Sequence, residues 1–199
     1  SDVAFHSTFP EHELQREREV IIDEINTYKD SPVDMIFDTF EDMIFEGSEL
    51  GHNILGTKAS LARHNSQSIK RFISRTHTTD QMVFSTIGNF SLAKVKSVAE
   101  QYFGSQTATK REFSRSKPTM VEPFERVVNK HTHQTHCIIG ARAYDIHAER
   151  RLPLSLLINI LGGPSANSRL NVVLREKNGL SYNTEATYTP YNDSGMVAI

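Results

Sequence analysis

One helical run constrains this chain more than any other segment. Pro10 to Tyr28 carries apolar residues at helical spacing, and two glutamates, Glu17 and Glu24, fall inside the same stripe. At about 100° per residue, positions seven apart differ by only about 20° around a helix axis. Leu14, Ile21, Ile25 and Tyr28 share one side, with Glu17 and Glu24 between that group and Val20. Arg16, Glu19 and Asp23 face the other way. A carboxylate turned toward a core is costly unless a metal ion, a paired base or a buried donor compensates it. The alternative is that both glutamates sit at the edge of a wide stripe and reach solvent.

The bulk numbers set outer bounds. With 199 residues there is room for one large or two small domains. Hydrophobic content of 38% and charged content of 23% suit a soluble globular chain. A net charge of −2 supplies no basic field for nucleic acid. No stretch has the length of a membrane span, and no signal peptide is visible. The single cysteine, Cys137, lies in the apolar run Cys137-Ile138-Ile139 and reads as a buried small hydrophobe. A lone cysteine is compatible with a reducing, cytoplasmic compartment. The chain opens on Ser1 and closes on the apolar run Gly195 to Ile199, so it reads as an excerpt of a longer protein.

The segments that follow alternate in character. Thr8-Phe9-Pro10-Glu11 has capping-box spacing, and Ser31-Pro32-Val33-Asp34 opens a second helix through Met35, Ile36, Phe40, Met43 and Ile44. Gly47 to Gly56 is a loop, and Ser66 to Arg75 a short helix. Met82 to Ile87 reads as a buried strand ended by Gly88-Asn89. Ser91 caps a helix running to Tyr102-Phe103, closed by Gly104. Residues 105–123 hold Lys110, Arg111, Arg115, Lys117 and two prolines with little apolar periodicity, the composition of a linker. Beyond it, Val127-Val128 and His136 to Ala143 read as strands. His147 to Leu161 reads as a helix with Leu152, Leu156, Leu157, Ile160 and Leu161 inward, and Ser168 to Lys177 as a short helix. Ser181 to Tyr188 and Met196 to Ile199 form a hairpin. The expected class is α+β, with helices on one face of a largely antiparallel sheet.

Several chemical patterns are weak on inspection. His131, His133 and His136 form the densest histidine group, but on a strand His136 points away from the other two, which suits solvated side chains better than a metal site. Gly162-Gly163-Pro164-Ser165 lacks the lysine of a P-loop and reads as a helix-ending turn. No Gly-x-Ser-x-Gly elbow occurs. Arg175 and Tyr182 flank the turn at Asn178-Gly179, where both could donate to one carbonyl or carboxylate. They would equally suit a last helical turn and a strand start.

Taken in order, these segments resemble the M16 (pitrilysin, insulinase and mitochondrial-processing-peptidase-like) zinc metallopeptidases. The resemblance is carried by Glu17-Arg18-Glu19-Val20-Ile21-Ile22-Asp23-Glu24-Ile25, by Leu50-Gly51-His52-Asn53-Ile54-Leu55-Gly56, and by Met82 to Asn89 with Tyr102-Phe103-Gly104. Leu161-Gly162-Gly163, Ser168-Arg169-Leu170 and Leu174 to Tyr182 complete it. It implies the LuxS/MPP-like metallohydrolase fold. Residues 1–104 would be the later part of a first domain, 105–123 a linker, and 124–199 the front of a second.

The resemblance also implies the chemistry. Glu24 would be the third zinc ligand, and Glu17 an accessory glutamate two turns earlier. The other two ligands would come from an upstream His-x-x-Glu-His, whose glutamate is the general base acting on zinc-bound water. Arg175 and Tyr182 would hold the substrate backbone, often across a subunit interface of a homo- or heterodimer that closes a chamber around an unfolded peptide. No His-x-x-Glu-His occurs in these residues, so the chain alone is expected to be inactive and to bind zinc poorly. A smaller departure is His77, where the family often has tyrosine. A non-catalytic partner subunit of the same family is the alternative, and a plain binding module with both glutamates at a solvated edge is a third reading.

Overall fold

The computed structural model describes residues 2–112, 114–130 and 133–199. His131 lies outside the described residues. In chain order the helices are α1 (Asp2–Phe5), α2 (Glu11–Asp30), α3 (Pro32–Ile44), α4 (Lys58–Leu61), α5 (Ser66–Thr76), α6 (Leu92–Phe103) and α7 (Arg151–Gly162). The strands are β1 (Gly140–Ala143), β2 (Thr187–Pro190) and β3 (Gly195–Ala198). This is the expected α+β class. The chain divides into two compact units, one of Ser1–Glu24 and Gly56–Arg115, the other of Ile25–Leu55 and Ser116–Ile199. The division falls inside α2, directly after Glu24.

The first unit is helical. The Pro10 carbonyl accepts the Glu13 and Leu14 amides at 3.1 and 3.0 Å and so starts α2. The expected capping box at Thr8 and Glu11 does not form. The Glu11 carboxylate instead accepts the Ser66 amide at 2.9 Å, at the first residue of α5, where unpaired amides and the helix dipole attract an anion. Arg18 donates to the His64 carbonyl at 2.9 Å, a second tie between α2 and the approach to α5. Asn65 and Ser68 make a reciprocal capping box on α5, and the Ser91 hydroxyl accepts the Lys94 amide to cap α6.

Met82 to Ile87 is not the buried strand that its composition suggests. Val83 is 91% exposed and Ile87 98%, and the run lies outside the sheet. β-branched and aromatic residues favour a pleated surface only when a hydrogen-bonded neighbour offers one, and here the run has none among the described residues. Only Phe84 finds an aromatic partner, tilting onto Phe103 with ring centroids 5.6 Å apart. Thr79 and Thr109 exchange amide-to-hydroxyl bonds of 3.0 and 2.7 Å, so the beginning of the basic 105–123 stretch is anchored.

The second unit holds the sheet, in the order β1-β3-β2 with both pairings antiparallel. Gly140 pairs with Ala198 on one side of β3, and Thr187 pairs with Ala198 on the other. Ile139 and Ile199 exchange two further backbone bonds of 2.9 and 2.8 Å. Regular pairing is thus shorter than the expected His136–Ala143, and Val127-Val128 are exposed and unpaired in the sheet.

Pro32 in the first turn of α3 and the 3.6-residue period of its apolar positions turn Phe40 and Ile44 inward. They join Phe45, Met196 and Ala198 in one buried cluster, with Leu50, Ile138 and Tyr191 against it. Each large side chain in that cluster contributes about 1.5–3 kcal/mol relative to exposure. The close approach needs glycine at two places. A Cβ at Gly140 would come within 2.4 Å of the Phe40 ring, and one at Gly195 within 2.1 Å of the Tyr144 carbonyl oxygen.

Two further expectations are corrected here. Leu152, Leu156, Leu157 and Ile160 are 49 to 64% exposed, while Ile158 and Gly162 are the buried positions of α7. Periodicity marks an apolar face but does not supply the surface that covers it. Cys137 is exposed, not buried.

Candidate functional site

Glu17 and Glu24 belong to the first unit and lie on one uninterrupted helix. Seven residues correspond to two turns, a rise of about 10 Å, so both carboxylates leave the same side of α2. Neither faces a core. Both are exposed, Val20 beside them is 60% exposed, and in all of α2 only Ile25 is buried. Among the described residues no hydrogen bond or ion pair engages either carboxylate, whereas Glu13 is held by Arg16 at 3.2 Å. Glu17 borders an open concavity of about 640 Å³ together with Asp2, His6, Glu13, Leu14 and Val20.

Arg175 and Tyr182 belong to the second unit, and the structure brings them together. Residues Asn171–Lys177 form a π-helix, one residue wider per hydrogen-bonded ring than an α-helix. Buried Ser168 and Asn171 fix its start, with the Asn171 side-chain amide donating to the Ser168 hydroxyl at 2.8 Å. At its end the Asn178 side-chain amide donates to the Val173 carbonyl at 2.7 Å, and Gly179 takes φ +58°. The Gly179 and Leu180 amides return to the Arg175 and Leu174 carbonyls at 3.0 and 2.8 Å. The reversed chain sets Tyr182 over Arg175, with the guanidinium carbon 5.7 Å from the ring centroid. Tyr182 is 88% exposed, and Arg175 also lies 3.6 Å from the Glu176 carboxylate. An exposed cation therefore lies over the face of an exposed phenol ring, each carrying hydrogen-bond donors.

Sequence reasoning passed over Arg142. It sits on β1 with its guanidinium carbon 4.4 Å above Phe45, and donates to the Ile44 carbonyl at 3.1 Å and the Pro118 carbonyl at 3.2 Å. Burial lowers its pKa, an effect that the Asp193 carboxylate opposes. The available signal was a lone cation in the otherwise apolar run Ile138 to Ala143.

A family model described as the peptidase M16 inactive domain matches residues 64–199. The chain belongs to the M16 peptidase family. This M16 chain is 37% identical over 200 residues to the uncharacterized zinc protease YmxG of Bacillus subtilis, and 32% identical over 201 residues to an uncharacterized zinc protease of Rickettsia bellii. Both alignments cover 100% of the chain and 48% of the relative. Among solved structures, a peptidase M16 inactive domain from Pseudomonas fluorescens superposes with a TM-score of 0.86 at 20% identity, covering 98% of this chain and 48% of that one. The M16 chain thus spans about half the length of the curated relatives it matches. Its relatives carry zinc in their names, yet among the described residues no three of His, Cys, Asp and Glu converge on a point that could hold a metal ion. Glu24 by itself does not make a zinc site. No described helix is long and apolar enough to cross a membrane.

Proposed function

We propose that this chain is part of a zinc-dependent M16 endopeptidase that hydrolyses peptides or unfolded polypeptide in a closed chamber. Glu24 is one zinc ligand, completed by residues outside this sequence. Glu17 is an accessory carboxylate, and Arg175 and Tyr182 hold the substrate backbone. Residues 105–123 connect the two M16 domains, and the parent works as a dimer. The observation that carries this reading is the pair of unengaged carboxylates two turns apart on one face of α2. The chain by itself is then a poor zinc binder and no peptidase.

The test uses the parent protein. Glu24→Gln removes an anionic ligand and is expected to lower both zinc content, read by elemental analysis, and peptide turnover. Glu17→Gln is expected to be milder on zinc. Full zinc and normal turnover in purified Glu24→Gln would refute the assignment.

A second reading has one observation in its favour: the matching family model describes an inactive domain. In that reading the parent is a non-catalytic partner subunit that shapes the chamber. An upstream His-x-x-Glu-His in the parent gene supports the peptidase, and a degraded motif supports the partner.

A further inference from the structure

We propose that Asn178 and Gly179 are positioning residues that hold the Arg175 guanidinium against the face of Tyr182, through a helix end built one residue wider than usual. The inference deepens the reading of Arg175 and Tyr182 as the substrate-holding pair.

An ordinary glycine-terminated helix closes with an amide returning to the carbonyl five positions earlier. Here the Leu180 amide returns six positions, to Leu174, at 2.8 Å. The extra residue matches the π-helical winding of Asn171–Lys177. Such windings are rare and occur often at functional sites. Two contacts are visible. The Asn178 side-chain amide occupies the Val173 carbonyl at 2.7 Å, while its backbone amide donates to the Arg175 carbonyl, so the Val173 carbonyl is satisfied by a side chain beyond the helix. Gly179 at φ +58° makes the reversal in a conformation that costs other residues strain, with open space where its Cβ would stand.

The consequence falls on Arg175 and Tyr182. Closing the turn with one residue fewer would rotate Arg175 about the helix axis and shift Tyr182 along the returning chain. The ring of Tyr182 then acts as a rest for the cation, separate from any role of its hydroxyl. It keeps a long, half-exposed arginine from sampling all its rotamers, so less conformational freedom is lost when an acceptor arrives.

The test reads the pair directly by NMR of the whole chain with isotope-labelled arginine. An aromatic face over a guanidinium shifts the Arg175 side-chain resonances upfield. The expected result is an upfield Arg175 signal in the parent sequence and in Tyr182→Phe, lost in Tyr182→Leu. The same signal is expected to be lost in Asn178→Asp, which keeps the side-chain shape without the donating amide, and regained in Asn178→Gln, which restores a donor. An Arg175 signal unchanged by Tyr182→Leu would overturn the stacking, and one unchanged by Asn178→Asp would overturn the positioning role. Tyr182 is exposed, so Tyr182→Leu leaves the fold intact as an independent arm. Peptide turnover plays no part in this measurement, so it fails separately from the proposed function.

Discussion

The guanidinium carbon of Arg142 lies 4.4 Å from the centroid of Phe45, a side chain wholly shielded from water. The same arginine donates to the carbonyl of Ile44 at the end of α3 and to that of Pro118. One residue of β1 thereby ties the helix end, the incoming segment and the core of the second unit. Arg142→Met keeps the apolar stem but removes both charged hydrogen bonds. It is expected to lower stability by about 2–4 kcal/mol. Thermal unfolding followed by circular dichroism checks this, and an unchanged melting temperature would show that the clamp contributes nothing net.

Glu41 gives a pH-dependent prediction. Partial burial, with the nearby Asp38 carboxylate adding to it, raises its pKa above the usual carboxylate value. The folded chain therefore binds this proton more tightly than the unfolded one. Stability from this group is full below the unfolded pKa of about 4.3 and is lost as pH rises through the folded value. Glu41→Gln removes the penalty on the ionised form. The variant is expected to melt higher than the parent sequence at pH 7, with the difference disappearing toward pH 4. A gain that grows on acidification would contradict the sign.

Gly195 pairs with Ala143 and with Pro190 at the head of β3. A Cβ there would stand 2.1 Å from the Tyr144 carbonyl oxygen, a backbone atom that cannot turn aside. Gly195→Ala is expected to cost about 1–3 kcal/mol or more through forced strand displacement. Gly47→Ala is the control: its Cβ meets nothing within 4 Å, so its cost comes from φ +74° alone. Chemical denaturation of the two variants separates packing from backbone strain.

Tyr182 tests substrate contact in the parent. Tyr182→Phe deletes one hydroxyl donor and keeps the ring. Loss of one donor aimed at a developing oxyanion costs about 10²–10³ in kcat. Zinc content and melting temperature are expected to stay unchanged. If the parent is a dimer that shares its site between subunits, mixing Tyr182→Phe with Glu24→Gln subunits restores part of the activity. Unchanged kinetics would leave Tyr182 a plain exposed residue of the turn that follows Gly179.

The local geometry of the candidate residues was legible because it depends on short intervals. The seven-residue interval of Glu17 and Glu24 fixes their common side on any helix. The turn residues Asn178-Gly179 announce a reversal that returns Tyr182 toward Arg175. That the residues before it wind as a π-helix was not legible, because apolar spacing over seven residues does not distinguish the two ring sizes. Arg142 was legible only as an oddity, because its partners Ile44, Phe45 and Pro118 are far from it in sequence.

The sequence by itself determined where α3, α5 and α6 begin, whereas the helix expected from His147 starts only at Arg151. Pro32, Asn65, Ser68 and Ser91 act on amides within three or four residues, so their effect is written into neighbouring letters. The antiparallel hairpin was legible too, but its first strand, expected over Ser181 to Tyr188, forms at Thr187–Pro190. Only the tertiary structure decided what is covered. Met82 to Ile87 and Leu152, Leu156 and Leu157 of α7 have the composition of buried elements and stand in solvent, and the carboxylates of α2 are exposed although they fall within its apolar stripe. Burial is a property of two surfaces, and a periodic run of residues specifies only one of them.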